Sequence, residues 1–304
     1  MLEAEASLAG AAALADELGL QAQAIRALNN LSVIQTAVDP RAAFRTAEEI
    51  YRRVLLFSGT AWGDRARRDQ ADQLTYVGRY GEAVAMLDDI DPERLAPFTR
   101  GELQALRLVI EGAQVGTPDV GRRLREEVAS WGAVTDPQSR MQTNWYVAQS
   151  YLFEGEWDRA FEHSIGNWFP WVAEGALLAA VRARSPDRVR QALASMWEVV
   201  PPTGRLGVAL ARIGEGMAEV LDGSRDHGAN LVASGLDLHA AVGWPQFTAD
   251  WQTAFAALLG LDQPAALAAA TAASDWLIEV GAHGLEQLWA DGLPPSASAR
   301  RHAG

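Results

Sequence analysis

Apolar residues recur at three- and four-residue intervals along most of the chain, the spacing that lays one face of an α-helix against a core. Leu103, Leu106 and Ile110 form one such stripe, and Ala148, Tyr151 and Leu152 belong to another. Two kinds of punctuation interrupt the stripes. Proline follows a candidate capping residue at Asp39-Pro40, Asp91-Pro92, Thr117-Pro118, Asp136-Pro137, Ser185-Pro186 and Gln263-Pro264. Proline is tolerated at the first helical position because its missing N–H would have no intrahelical partner there. An apolar residue before glycine marks helix ends at Leu18-Gly19, Trp131-Gly132, Val242-Gly243 and Val280-Gly281. Between these marks the pattern predicts roughly fourteen helices, paired as about seven hairpins.

The hairpins repeat. A glycine followed five residues later by a small residue occurs at Gly78/Ala83, Gly116/Gly121, Gly155/Ala160, Gly223/Gly228 and Gly260/Ala265, with weaker copies at Val38/Ala43 and Arg184/Val189. The second members lie 40, 38, 39, 29, 39 and 37 residues apart. A period of this size indicates a solenoid of stacked supersecondary units. The first residue of each pair ends one helix, where a left-handed backbone suits glycine. The second lies in the first turn of the next helix, where a close crossing admits only a small side chain. The irregular 29-residue step contains Trp168, Phe169, Pro170 and Trp171. Pro170 must kink or end a helix there. The aromatics form either a packing plug where the array changes direction or a binding surface at a joint between two lobes, near residues 161–189.

The segments Tyr76-Val77-Gly78-Arg79-Tyr80-Gly81-Glu82-Ala83 and Tyr151-Leu152-Phe153-Glu154-Gly155-Glu156-Trp157-Asp158-Arg159-Ala160 resemble the core of the tetratricopeptide hairpin. Ala27-Leu28-Asn29-Asn30-Leu31-Ser32 looks like the first helix of such a unit. The longer period and the Ala-rich, Arg-only style are similar to the tetratricopeptide-like arrays of large bacterial signalling ATPases. These include regulators of the MalT and LuxR type and ATPase-linked nucleotide cyclases. The resemblance implies an all-α, right-handed solenoid over residues 1–292, followed by a disordered tail at 293–304. It also implies a concave face built from one side of each first helix. Alignment on Ala83 puts Arg65, Arg68 and Asp72 on that face, and alignment on Ala160 puts Gln142, Trp145 and Gln149 there. An indole flanked by amides suits a sugar or a flat organic ligand, and the arginines suit a carboxylate or a peptide terminus. The expected site residues are therefore these six together with Trp168 and Trp171.

Composition narrows the chemistry. Alanine and leucine dominate, which favours helix over sheet. The chain has no cysteine, and all 26 of its basic residues are arginine. Thiolate, Schiff-base-lysine and Walker-A chemistry are thereby excluded. No Gly-rich phosphate loop, nucleophile elbow or His-Glu-x-x-His pattern occurs. The acidic run Asp88-Asp89-Ile90-Asp91 lacks the spacing of a terpene-cyclase metal motif, so neither a metal nor a cofactor is expected. A net charge of −13 disfavours direct nucleic-acid binding. No apolar run is long enough to span a membrane, and a cytoplasmic location is expected. Of the eleven tryptophans, nine lie from Trp145 onward. These features favour a non-catalytic, regulatory module that recognises a protein, a peptide or a small effector in its groove, with oligomerisation possible. The alternative is an α-helical cyclase or hydrolase with a site near the 161–189 break.

Overall fold

The computed structural model describes residues 2–57, 61–116, 118–132, 134, 136–167, 170–198 and 204–294. Among them are sixteen α-helices and no strand. The first eight are α1 (Leu2–Glu17), α2 (Gln21–Val38), α3 (Pro40–Val54), α4 (Ala61–Tyr76), α5 (Tyr80–Asp88), α6 (Pro97–Gln114), α7 (Pro118–Ser130) and α8 (Pro137–Phe153). The rest are α9 (Trp157–Ser164), α10 (Pro170–Arg182), α11 (Pro186–Met196), α12 (Arg205–Leu221), α13 (Arg225–Val242), α14 (Pro245–Leu259), α15 (Pro264–Glu279) and α16 (His283–Leu288). Consecutive helices pack as neighbouring pairs.

The punctuation acts locally as its chemistry requires. Pro40, Pro118, Pro137, Pro186 and Pro264 each begin a helix, whereas Pro92 begins a 3-10 turn. Asp39 caps α3 by accepting from the backbone N–H groups of Arg41 and Ala42, and Asp136 accepts from that of Ser139 at 2.7 Å. Such caps satisfy backbone donors that have no partner inside the helix. Pro97, Pro170 and Pro245 open α6, α10 and α14 in the same way, without a polar cap that would have announced them. Pro170 therefore starts a helix and kinks none. Much of the 29-residue step's shortness lies in α10, which has 13 residues where α6, α8 and α12 have 18, 17 and 17.

The glycines that close the first helix of each hairpin take positive φ, from +62° at Gly116 to +99° at Gly223, and Arg184 takes +53° at the same place in its copy. Ala43, Ala83, Ala160 and Val189 are buried behind them. Ala265 is exposed, and Ala266 fills the buried place instead. Gly260 causes the slip. Its ψ of 146° departs from the helical range, and the turn to α15 is one residue longer.

One hydrophobic cluster runs from Ala71 to Leu293 and crosses residues 161–189 without interruption. Leu293, the first residue of the expected tail, is part of it; residues 295–304 lie outside the described residues. Late helices return to early ones. α14 touches α4, α10 and α12, and α16 lies on α6. That last contact runs backbone against backbone: a Cβ on Gly284 would collide with Gly112 and Gly116. Among the described residues no helix is long and apolar enough to cross a membrane.

Candidate functional site

The side chains facing away from the core of α2, α4, α6 and α8 line a cleft of about 280 Å³, bounded also by α3 and by Trp171 at the start of α10. Its floor is built around Arg68, which is only 8 % exposed. Arg68 Nη2 donates to Glu102 Oε1 at 2.9 Å and to the Tyr146 hydroxyl at 3.2 Å, and Nη1 donates to Asp69 Oδ1 at 2.8 Å. A buried guanidinium without such partners would be costly. Burial alone would lower its pKa, but Glu102, Tyr146 and Asp69 outweigh that and hold it charged. Burial also pushes the Glu102 carboxyl above its ordinary value, against the opposing pull of Arg68.

Aromatic packing fixes this floor from behind. Phe98 meets Trp131 edge to face at 5.2 Å, and Trp131 meets Tyr146 in the same manner at 5.7 Å. The Trp131 ring fits because residue 101 is glycine; a Cβ there would collide with the indole. Gln142 completes the wall beside Tyr146. On the α4 side, Asp72 lies near the Tyr76 hydroxyl, which in turn lies near the Trp145 side chain. Burial pushes the Asp72 pKa up to about 6, with Arg68 opposing and Asp69 and Glu102 adding to the rise.

Of the expected site residues, Arg65, Arg68, Asp72, Gln142 and Trp171 line this one cleft. Trp145 does not face it. It is 3 % exposed, and its ring lies so close to Gly175 of α10 that a Cβ there would come within 2.8 Å. Its role is to support Tyr76 from the second layer. Gln149 lines a separate, closed cavity of about 20 Å³ with Trp145, Asp250 and Trp289. Trp168 lies outside the described residues. Arg68 already has acceptors inside the protein, whereas the Arg65 side chain is 54 % exposed. Glu102, Asp69 and Gln70 were not expected in the lining. Glu102 stands 34 residues after Arg68, on α6, an interval that the 38-residue step from Ala83 to Gly121 does not pick out.

A second polar cluster lies in the C-terminal half and is sealed. Glu174 and His239 are both 0 % exposed. His239 Nε2 lies 2.8 Å from Glu174 Oε1 and Nδ1 lies 2.9 Å from the Thr248 hydroxyl, while Trp251 Nε1 donates to the same Glu174 oxygen at 2.7 Å. A hydroxyl, an imidazole and a carboxylate in line are the parts of a nucleophilic relay. Here the hydroxyl sits within hydrogen-bond range of the Trp244 carbonyl, on a residue that is 6 % exposed. Beside it, burial raises the Asp250 pKa to about 7, although Trp289 Nε1 donates to Asp250 at 2.8 Å. Arg182 reaches Thr253 and Asp291 from α10. The cluster bonds one Glu174 oxygen twice and leaves Glu174 Oε2 without a hydrogen-bond partner among the described residues, in a core with no room for a substrate.

Compared with protein-family models, curated proteins and solved structures, the chain has no significant match. The site's chemistry therefore rests on its own geometry.

Proposed function

We propose that the chain is a tetratricopeptide-like solenoid of about seven hairpins and acts as a non-catalytic binding module of a regulatory system, akin to the sensor arrays of MalT- and LuxR-type signalling ATPases. Its ligand, a small effector or a short peptide segment, occupies the cleft between α2, α4, α6 and α8. One observation carries this reading. Helices from successive hairpins contribute to a single open cleft whose floor is braced by buried hydrogen bonds, so the cleft exists before any ligand arrives. A preformed concave site with few, placed polar groups is the ordinary form of a recognition site. The sealed state of the Glu174–His239–Thr248 line removes the strongest candidate for catalysis. The net charge of −13 argues against nucleic acid as the ligand.

The test is saturation-transfer NMR of the full chain against a mixed library of short peptides, sugars, amines and organic acids. Binders are expected, and Gln142→Ala and Trp171→Ala should weaken them. A library without binders, or binders indifferent to both substitutions, would sink the assignment of the cleft.

A further inference from the structure

This inference rests on the cleft being a binding site and concerns what it selects. The charges that line it do not balance. Arg65 and Arg68 face three carboxylates: Asp69, Asp72 and Glu102. Arg68 is engaged by Glu102 and Asp69, and Arg65 comes to within 4.0 Å of Asp69. Asp72 makes no ion pair within 4.0 Å among the described residues, and the Tyr76 hydroxyl lies near it. A second, independent feature has the same sense. Gln70 lies between the cleft and a shallow depression lined by Tyr51 and Arg79, is 4 % exposed, and its Oε1 has no hydrogen-bond partner among the described residues. An amide oxygen buried without a donor costs about 1–3 kcal/mol and is satisfied by a ligand that brings one. The wall thus offers acceptors and negative charge beyond what its own donors fill. Phe98 and Trp171 add aromatic lining.

We propose that the cleft binds a cationic organic group, a guanidinium or a primary ammonium, with the Asp72 carboxylate as its counter-charge, Gln70 Oε1 as a hydrogen-bond acceptor, and Phe98 and Trp171 as its aromatic walls. Both cations carry several N–H donors and no acceptor, which matches a wall of unfilled acceptors. Aromatic faces attract cations and do not attract carboxylates. A volume of about 280 Å³ admits one side-chain-sized ligand and excludes a folded partner.

Protonation supports the same choice. Asp72 is faced by Arg68, Asp69 and Tyr76 on α4, by Glu102 on α6 and by Tyr146 on α8, and burial raises its pKa to about 6. A bound cation favours the ionised carboxylate. Its affinity should therefore fall about tenfold between pH 7 and pH 5.

The experiment is isothermal titration calorimetry on the full chain with Nα-acetyl-arginine amide, Nα-acetyl-lysine amide and agmatine. The neutral isostere Nα-acetyl-citrulline amide and the anionic Nα-acetyl-glutamate amide serve as comparators. At least one cation should bind tenfold or more tightly than either comparator. Asp72→Asn should abolish that preference while its urea midpoint stays equal or rises. Preference for agmatine over the arginine amide assigns the site to a free amine; the reverse assigns it to a peptide side chain. A comparator that binds as tightly as the cations, or a cation affinity unchanged in Asp72→Asn, overturns the proposal. So does the absence of any cation binding. If neutral or anionic members of the mixed library still bind at the cleft, only the choice of ligand fails; if nothing binds, the cleft assignment fails with it.

Discussion

Helices α4, α6 and α8 turn polar side chains into a cleft, whereas α10 and α12 are packed against α14. In the first region Arg68 is held by partners that leave room above it. In the second, Trp251 and Phe255 of α14 are 0 % exposed and occupy the space themselves. Tyr76 on α4 marks the border, stacked on Phe247 of α14 at 5.4 Å while its hydroxyl lies near Asp72. The same kind of helix therefore borders either an open cleft or a filled core, depending on whether a later helix comes back to cover it. Buried polar groups occur in both regions with different consequences. Around Glu174 every close neighbour is protein, so the cluster contributes specificity of packing. Around Asp72 one side is open, so a ligand can complete the arrangement.

The sharpest way to break this contrast is to truncate one indole in each region. Trp251→Ala should cost about 3–5 kcal/mol, since it empties a sealed core. Trp171→Ala at the cleft margin should cost about 1 kcal/mol. Urea unfolding measures both, and equal losses would mean that the cleft is as tightly filled as the core.

Next in size is Arg68→Ala, which leaves Glu102 buried without its cation. A loss of about 2–3 kcal/mol is expected. In a double-mutant cycle, Glu102→Gln should recover part of it; an additive cycle would show that the two side chains are not coupled.

Asp250 sharpens the contrast through pH. Its folded pKa of about 7 lies above the unfolded value of about 3.9. The folded state therefore holds an extra proton between these values. The stability this contributes is present at low pH and is lost as pH rises toward 7. Asp250→Asn should remove that part of the slope, so the variant should gain on the parent as pH increases, by on the order of 2 kcal/mol at pH 8. Stability curves that stay parallel from pH 5 to pH 8 would contradict a strongly desolvated carboxyl.

The smallest effect concerns the slipped turn before α15. Ala266→Leu should cost about 1–2 kcal/mol by overpacking, whereas Ala265→Leu should change stability by less than about 0.5 kcal/mol. The opposite order, measured by thermal melts, would restore the five-residue spacing at Gly260.

What the sequence made legible was local. Gly78 with Ala83 and Gly155 with Ala160 mark their turns because backbone sign and helix crossing are decided within a few residues. Prolines after Asp39, Asp136 and Ser185 announce helices through caps that are equally local. Arg65, Arg68 and Asp72 of α4 line one cleft together, since helical spacing puts them on one side. What they meet there was not legible. Glu102 joins Arg68 from another helix, and no periodicity states which charges will neutralise each other. Trp145 shares a helix face with Gln142 yet is covered, because α10 presents Gly175 at the point of contact. That covering is a property of how hairpins stack, and it left the role of α14 unreadable as well.

The seam at Gly284 has a temporal side. A chain made from its N-terminus exposes Gly112 and Gly116 long before α16 exists to cover them. Neighbouring hairpins form from local contacts and need not wait, but this seam joins segments far apart in sequence, and such contacts form slowly. During synthesis α6 must keep a bare strip of backbone and small side chains until nearly the whole described chain has emerged. The order in which the molecule is made therefore sets the order in which it closes, with the early hairpins standing open until α14 and α16 arrive.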